Sequence, residues 1–61
     1  MFRMEFNTDN AAFGENAFER RNETVRILEN IVTKILCLHT DGSILDHNGN
    51  VIGHWRFDEE E

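Results

Sequence analysis

The sequence predicts an α+β fold in which one long amphipathic helix packs on one face of a three-stranded antiparallel sheet, in the order β-α-β-β. Phe2, Met4 and Phe6 alternate with polar residues, which is the period of two of a strand with one apolar face. Apolar residues then recur with a period near 3.6 over residues 16–39, as in an amphipathic helix. Finally, the stretch DHNGN at residues 46–50 is typical of a hairpin turn.

The predicted helix has an apolar face about half its circumference wide, with Leu28 at the centre and Ile27 near one margin. Asn16 followed by Glu19 fits a capping box at the start. At the other end, Gly42 is suited to a left-handed conformation that stops the helix. The residues placed on the apolar face are Ala17, Thr24, Val25, Leu28, Ile31, Val32, Ile35 and Leu36.

Shorter signals place the remaining elements. Residues 11–13 fit a single helical turn capped by Asp9 or Asn10, with Phe13 closing the end of the core. Residues 43–47 and 51–57 form the second and third strands, with the third in the middle of the sheet. Gly53 permits a bulge that turns Trp55 inward. The sheet side of the core is then Phe2, Met4, Phe6, Ile44, Ile52 and Trp55.

Two geometries compete for the hairpin turn. One is a two-residue turn at Asn48-Gly49, and the other is a type I turn over residues 47–48 with Gly49 as the bulge. We favour the second because Asp46 then occupies the first position, where such turns prefer aspartate. That choice also places Ile44 opposite Ile52.

Length and composition limit the class of protein. Sixty-one residues make one small domain, 1–61, and residues 58–61 form an acidic tail that we expect to be frayed. Cys37 is the single cysteine, and no apolar run fits a signal peptide or a membrane span, so we expect a reduced, soluble, cytoplasmic protein without membrane contact. A formal charge of −6 disfavours direct binding to nucleic-acid phosphates.

Candidate metal and catalytic motifs are incomplete. Asp46, Asn48 and Asn50 copy the opening of a calcium-binding EF-hand loop, but Val51 replaces the next glycine and Phe57 the closing glutamate. The residues Cys37, His39, Asp41, His47 and His54 do not repeat the paired spacing of structural zinc sites. Nor is a nucleophile paired with a base in a predicted cleft. We therefore expect no cofactor, no metal and no enzymatic activity.

Several short pieces together resemble a family of small proteins encoded by bacteriophages and prophages. The pieces are residues 10–13 (NAAF), residues 25–28 (VRIL) and residues 46–55 (DHNGNVIGHW). The resemblance covers most of the chain. It implies a phage accessory protein in the bacterial cytoplasm, and it carries over no functional residues.

These observations favour a protein that acts by binding other proteins, whether from the host or from the phage. We also expect a homodimer, because three short strands cannot cover the whole helix face. Its interface is expected at residues 31–38 or the first strand, and the candidate contacts are Ile31, Ile35, Leu36, Leu38 and Trp55.

Two alternatives remain. One is an inhibitor of a host defence or nucleic-acid enzyme that imitates nucleic acid with its carboxylates. Its candidate contacts are Glu15, Glu19, Glu23, Glu29, Asp58, Glu59, Glu60 and Glu61. The other is a small metal-binding protein.

Overall fold

The computed structural model describes residues 1–58, and it has the predicted α+β architecture. Strand β1 (Phe2–Phe6) leads through a 3₁₀ turn (Ala11–Phe13) to helix α1 (Ala17–Leu36), which strands β2 (Asp41–Leu45) and β3 (Val51–Phe57) follow. The sheet is open and antiparallel, with the order β1-β3-β2. Within the described part of the chain, no helix combines the length and the apolar character that crossing a membrane requires.

The pairing of β1 with β3 follows the predicted alternation. Phe2 lies opposite Phe57, Met4 opposite Trp55, and Phe6 opposite Gly53. Directly opposite residues share a face of the sheet, so these side chains all belong to the face that α1 covers. β2 begins at Asp41, two residues before the predicted start.

The hairpin turn has the favoured geometry, but the predicted register beyond it is wrong. The Gly49 N–H donates to the Asp46 carbonyl at 3.0 Å, and Gly49 has a φ of 85°, as the type I turn with a glycine bulge requires. Leu45 then pairs with Val51, whereas Ile44 pairs with Gly53 rather than Ile52. Ile52 is therefore the extra residue of a β-bulge, which shifts the register by one.

The core lies between α1, the 3₁₀ turn and the inner face of the sheet. Phe13 is fully buried, and its ring stacks on Phe6 with centroids 6.5 Å apart. Phe2 and Met4, in contrast, remain 41% and 37% exposed on the same face, so α1 covers β1 incompletely. The buried core residues are Phe13, Ile27, Ile31, Ile44 and Trp55, with Phe6, Ile35, Ile52 and Phe57 packed against them.

The two ends of α1 differ in how well they were predicted. Asn16 is the N-cap, and its side-chain oxygen accepts the Glu19 N–H at 2.9 Å, as the capping box predicted. At the C-terminal end, Leu38 rather than Gly42 takes the left-handed conformation, with a φ of 69°. The His39 N–H reaches the Lys34 carbonyl and the Leu38 N–H reaches the Ile35 carbonyl, both at 3.0 Å, which completes a Schellman motif.

Gly42 instead lies in β2 opposite Trp55, where a Cβ would stand 2.8 Å from the indole Nε1. It is therefore needed for close packing rather than for ending the helix. The buried Nε1 has no hydrogen-bond partner among residues 1–58.

The predicted centre of the helix face is wrong. The helical residues buried against the sheet are Glu23, Ile27 and Ile31, whereas Leu28 is 37% exposed and Val32 is 56% exposed. Ile27 lies about 100° from Leu28 around the helix axis. Relative to the predicted orientation, α1 is therefore rotated about its own axis. Part of its apolar face contacts the sheet, and the other part faces solvent.

Gly53 should be the least replaceable glycine of the sheet. A Cβ there would overlap the Glu5 carbonyl oxygen and crowd Phe6, so we expect Gly53→Ala to lower the free energy of unfolding by about 3 kcal/mol or more. Gly49→Ala is the control, because a Cβ there meets nothing within 4 Å and only the positive φ is unfavourable, costing about 1 kcal/mol. Urea unfolding of both variants checks this, and equal losses would contradict the packing explanation.

Leu38→Gly should raise the stability of the folded monomer. A leucine in the left-handed region is strained by about 1–2 kcal/mol, and this residue is 88% exposed, so little packing is lost with its side chain. After the greater freedom of glycine in the unfolded chain is subtracted, a net gain of about 1 kcal/mol is expected. Thermal unfolding at low protein concentration measures it, and a loss of stability would show that Leu38 packs within one chain.

Candidate functional site

The Asp46 carboxylate organises the hairpin loop. Asp46 is only 4% exposed, and its Oδ1 accepts the N–H groups of Asn48 and Asn50, both at 2.9 Å. Its Oδ2 accepts the side-chain amide of Asn50 at 3.2 Å and that of Asn10 at 2.8 Å. Asn10 in turn caps the 3₁₀ turn by accepting the Ala12 N–H. One carboxylate thus joins the loop to the segment that carries Phe13.

Glu23 connects α1 to the same loop. It is 8% exposed, and its carboxylate accepts two hydrogen bonds from Arg26, at 2.7 and 2.9 Å. Its Oε2 also accepts the His47 N–H at 2.9 Å. Arg26 itself reaches the Leu45 carbonyl at 3.4 Å. Burial of this charge is tolerated because it is paired and hydrogen-bonded.

Both buried carboxyl groups are held in the ionised form. The Arg26 guanidinium lowers the pKa of Glu23 from its ordinary value of 4.5; burial acts against it, and the His47 N–H adds to the lowering. Burial alone would raise the pKa of Asp46. The donors from Asn50, Asn48 and Asn10 outweigh burial and hold that pKa below 3.8. These shifts have a structural origin, because every partner belongs to the loop or to the elements packed on it.

The candidate metal and calcium motifs do not form a site in the described residues. Among residues 1–58, no three His, Cys, Asp or Glu side chains come together as metal ligands. The EF-hand-like aspartate, Asp46, has both carboxylate oxygens engaged by loop donors. Cys37 is exposed at the C-cap of α1.

The surface depressions along the sheet are open to solvent. One, of about 560 Å³, lies along β1 and β3 and includes Arg3, Glu5, His54 and Arg56. Register places Glu5 opposite His54 and Arg3 opposite Arg56. All four residues are exposed, so this face is a solvated charged surface.

The most unusual surface is an exposed row of apolar side chains on α1. We call it the apolar flank, and it consists of Phe18, Val25, Leu28, Val32 and Leu36. Their exposed fractions are 73%, 51%, 37%, 56% and 77% in that order. Leu38, just beyond the helix end, is 88% exposed.

The apolar flank lies on the β1 side of the helix. The opposite side of α1 carries Asn30 and Lys34, which line a narrow gap with Ser43 and Leu45 of β2. The Leu28 side therefore turns toward β1, where Phe2 and Met4 are only partly covered.

The structure divides the predicted interface residues into two groups. Ile31 is 6% exposed and Trp55 is 2% exposed, and Ile35 packs against the same core, so these three belong to the interior of one chain. Leu36 and Leu38 are exposed and remain available to a partner.

The predicted acidic contacts also fall into two groups, those engaged within the fold and those exposed. Glu23 is turned into the fold and paired with Arg26, and Glu19 is hydrogen-bonded to its cap residue Asn16 at 3.0 Å. Asp58 pairs with Arg56 at 2.8 Å, and its backbone N–H donates to the Met1 carbonyl. Asp58, the first residue of the tail that we expect to be frayed, thus has partners for both its side chain and its backbone N–H. Glu15 and Glu29 are exposed, and residues 59–61 lie outside the described part of the chain.

Sequence reasoning assigned most of the apolar flank to the core and left out Phe18. A heptad spacing could have separated the two surfaces. Phe18, Val25 and Val32 are seven residues apart, which is the spacing of one position of the heptad in a helix–helix seam. Residues four apart, such as Glu23, Ile27 and Ile31, form the other stripe.

Comparison with known proteins gives no match: no family model fits the chain, and no curated protein or solved structure is significantly similar to it.

The two buried carboxylates should make the free energy of unfolding depend on pH in the acidic range. Their pKa values are lowered in the folded state, so the unfolded chain binds more protons, and their contribution is present above the unfolded values near 4.5 and 3.8. It is lost as the pH falls through the lower folded values. Urea midpoints should therefore fall on acidification below about pH 4.5.

Asp46→Asn and Glu23→Gln should each flatten this pH dependence and destabilise the protein at neutral pH. Glu15→Gln, at an exposed residue, is the matched control. An unchanged acid dependence in both Asp46→Asn and Glu23→Gln would contradict the assignment.

Proposed function

We propose that this chain is a small acidic accessory protein of phage or prophage origin that acts by binding another protein molecule in the bacterial cytoplasm, without catalysis of its own. The observation that carries the proposal is the apolar flank, a row of five exposed apolar side chains on a folded monomer. The resemblance at NAAF, VRIL and DHNGNVIGHW supports the phage origin.

The size of the apolar flank supports a binding role. Its exposed fractions correspond to roughly 500 Å² when each fully exposed residue offers on the order of 150–200 Å². The largest apolar patch of a typical monomer is about 300–600 Å² and is often functional. Because these side chains project from a preformed helix, a partner can bind them without first ordering a loop.

The fate of the acidic residues supports binding over catalysis. A catalytic carboxyl commonly has a perturbed pKa in a cleft. Here the two carboxyl groups with lowered pKa values, Glu23 and Asp46, are engaged by Arg26 and by loop donors. These two carboxyl groups join α1 to the hairpin.

Nucleic-acid mimicry has less support. A mimic needs an exposed row of carboxylates, and Glu23 is withdrawn from the predicted row while Asp58 pairs with Arg56. Mimicry also predicts binding that weakens strongly with salt, whereas an apolar contact is much less sensitive to it.

Val32→Asp should abolish partner capture. A tagged copy is expressed in bacteria together with an untagged copy, and captured proteins are identified by mass spectrometry at low and high salt. We expect the wild type to recover a partner, from host, phage or the untagged copy, about tenfold better than Val32→Asp does, because a charge then enters the apolar contact.

Thr33→Asp is the matched control, since it places the same charge at the next position on the polar side of the helix, where the residue is also exposed. Its recovery should match the wild type. Equal recovery by the wild type and Val32→Asp would contradict a binding role for the apolar flank.

A further inference from the structure

We propose that the apolar flank is occupied by a second copy of the chain, packed antiparallel about a twofold axis near Leu28. This inference rests on the proposed function, because it names the partner of that same surface. It differs from the interface expected at residues 31–38, since Ile31 is buried in the core and Ile35 is partly buried against it.

The apolar flank is complementary to itself when reversed. Phe18 lies ten residues before Leu28, and Leu38 lies ten residues after it. A twofold axis at Leu28 therefore brings Phe18 of one copy toward the Leu36–Leu38 end of the other, and each contact occurs twice. Phe18, Leu36 and Leu38 are also strongly exposed, at 73%, 77% and 88%. The heptad spacing of Phe18, Val25 and Val32 provides the seam between the two helices.

The area also fits a second copy. Roughly 500 Å² from each apolar flank gives about 1,000 Å² in total, which is the lower limit of a specific interface. Phe2 and Met4 are 41% and 37% exposed on the sheet face that α1 covers incompletely. A domain of this length buries only about 60% of its extended-chain surface alone, and a second copy supplies further cover.

The charges on α1 favour an antiparallel rather than a parallel pair of helices. Arg20 and Arg21 lie in the first turns of α1, near the positive end of the helix dipole, where cations are unfavourable. Arg21 also occupies the heptad position seven residues before Leu28, so a parallel pair would set two arginines side by side. In an antiparallel pair, each Arg21 lies beside the negative C-terminal end of the other helix.

The strained Leu38 agrees with this arrangement. A glycine would fit its left-handed conformation better, yet the chain holds an exposed leucine there. Contact with Phe18 of a second copy gives that side chain the apolar neighbour that it lacks within one chain.

Disulfide cross-linking tests the axis. In a Cys37→Ser background, Leu28→Cys should form a covalent dimer under mild oxidation, because the two residues meet at the axis. Leu36→Cys should not, since the two sites would lie on opposite sides of the axis, about 24 Å apart along the helices at 1.5 Å per residue. Thr33→Cys, on the polar side, measures random collision.

Each outcome decides the question. Cross-linking of Leu28→Cys well above the Thr33→Cys level, with Leu36→Cys at that level, supports the inference. Leu36→Cys cross-linking as well as Leu28→Cys indicates a parallel pair, and Leu28→Cys at the collision level indicates pairing through an edge strand or no pairing. Either result overturns the inference.

Sedimentation equilibrium provides the second readout. Val32→Asp should weaken dimerisation at least about tenfold, and Thr33→Asp should change it less than about twofold. A wild type that stays monomeric at high micromolar concentration would overturn the inference. If Val32→Asp nevertheless abolishes capture of a host or phage protein, the proposed function stands and only the second copy is excluded as the partner.

Discussion

The buried carboxylate of Glu23 fixes how α1 sits on the sheet. It binds Arg26 on its own helix and the His47 N–H on the hairpin, so this side of the helix cannot turn away from the loop. Ile27 and Ile31 follow at four-residue spacing and are directed into the core with it. Asp46 stabilises this arrangement, because it holds the loop that presents the His47 N–H. The same rotation leaves Leu28 and its neighbours facing solvent.

Local chemistry made much of the fold predictable. The alternation in β1, the Asn16 cap and the positive φ at Gly49 each depend on residues close in sequence, and the structure has all three. The rotation of α1 could not be predicted from apolar periodicity. The predicted apolar face contains residues of both the buried stripe and the exposed stripe, and it excludes Glu23 because glutamate is polar. The predicted register is wrong at Ile52, because the position of a β-bulge depends on packing across strands. Gly42 was read as a helix stop, whereas its role is to make room for the Trp55 indole.

The departures from ordinary sequence rules lie at the two ends and along one side of α1. An exposed leucine at positive φ, two arginines near the wrong end of the helix dipole and a row of exposed apolar side chains are each unfavourable in an isolated monomer. Conflicts between local preference and structure are typical of functional sites. A partner that packs along the apolar flank would cover the exposed apolar side chains, which is why we propose the function there rather than in the solvated charged face of the sheet.

The most direct test of this account is the solvent accessibility of individual methyl groups, measured by NMR with a soluble paramagnetic probe over a range of protein concentrations. In the dilute protein, the probe should broaden the methyl signals of Leu28, Val32 and Leu36, while those of Ile27 and Ile31 stay sharp. At high concentration, the first three should become protected as a second copy covers them. Protection of Leu28 and Val32 in the dilute monomer would contradict the rotation of α1, and lasting exposure at every concentration would contradict the second copy.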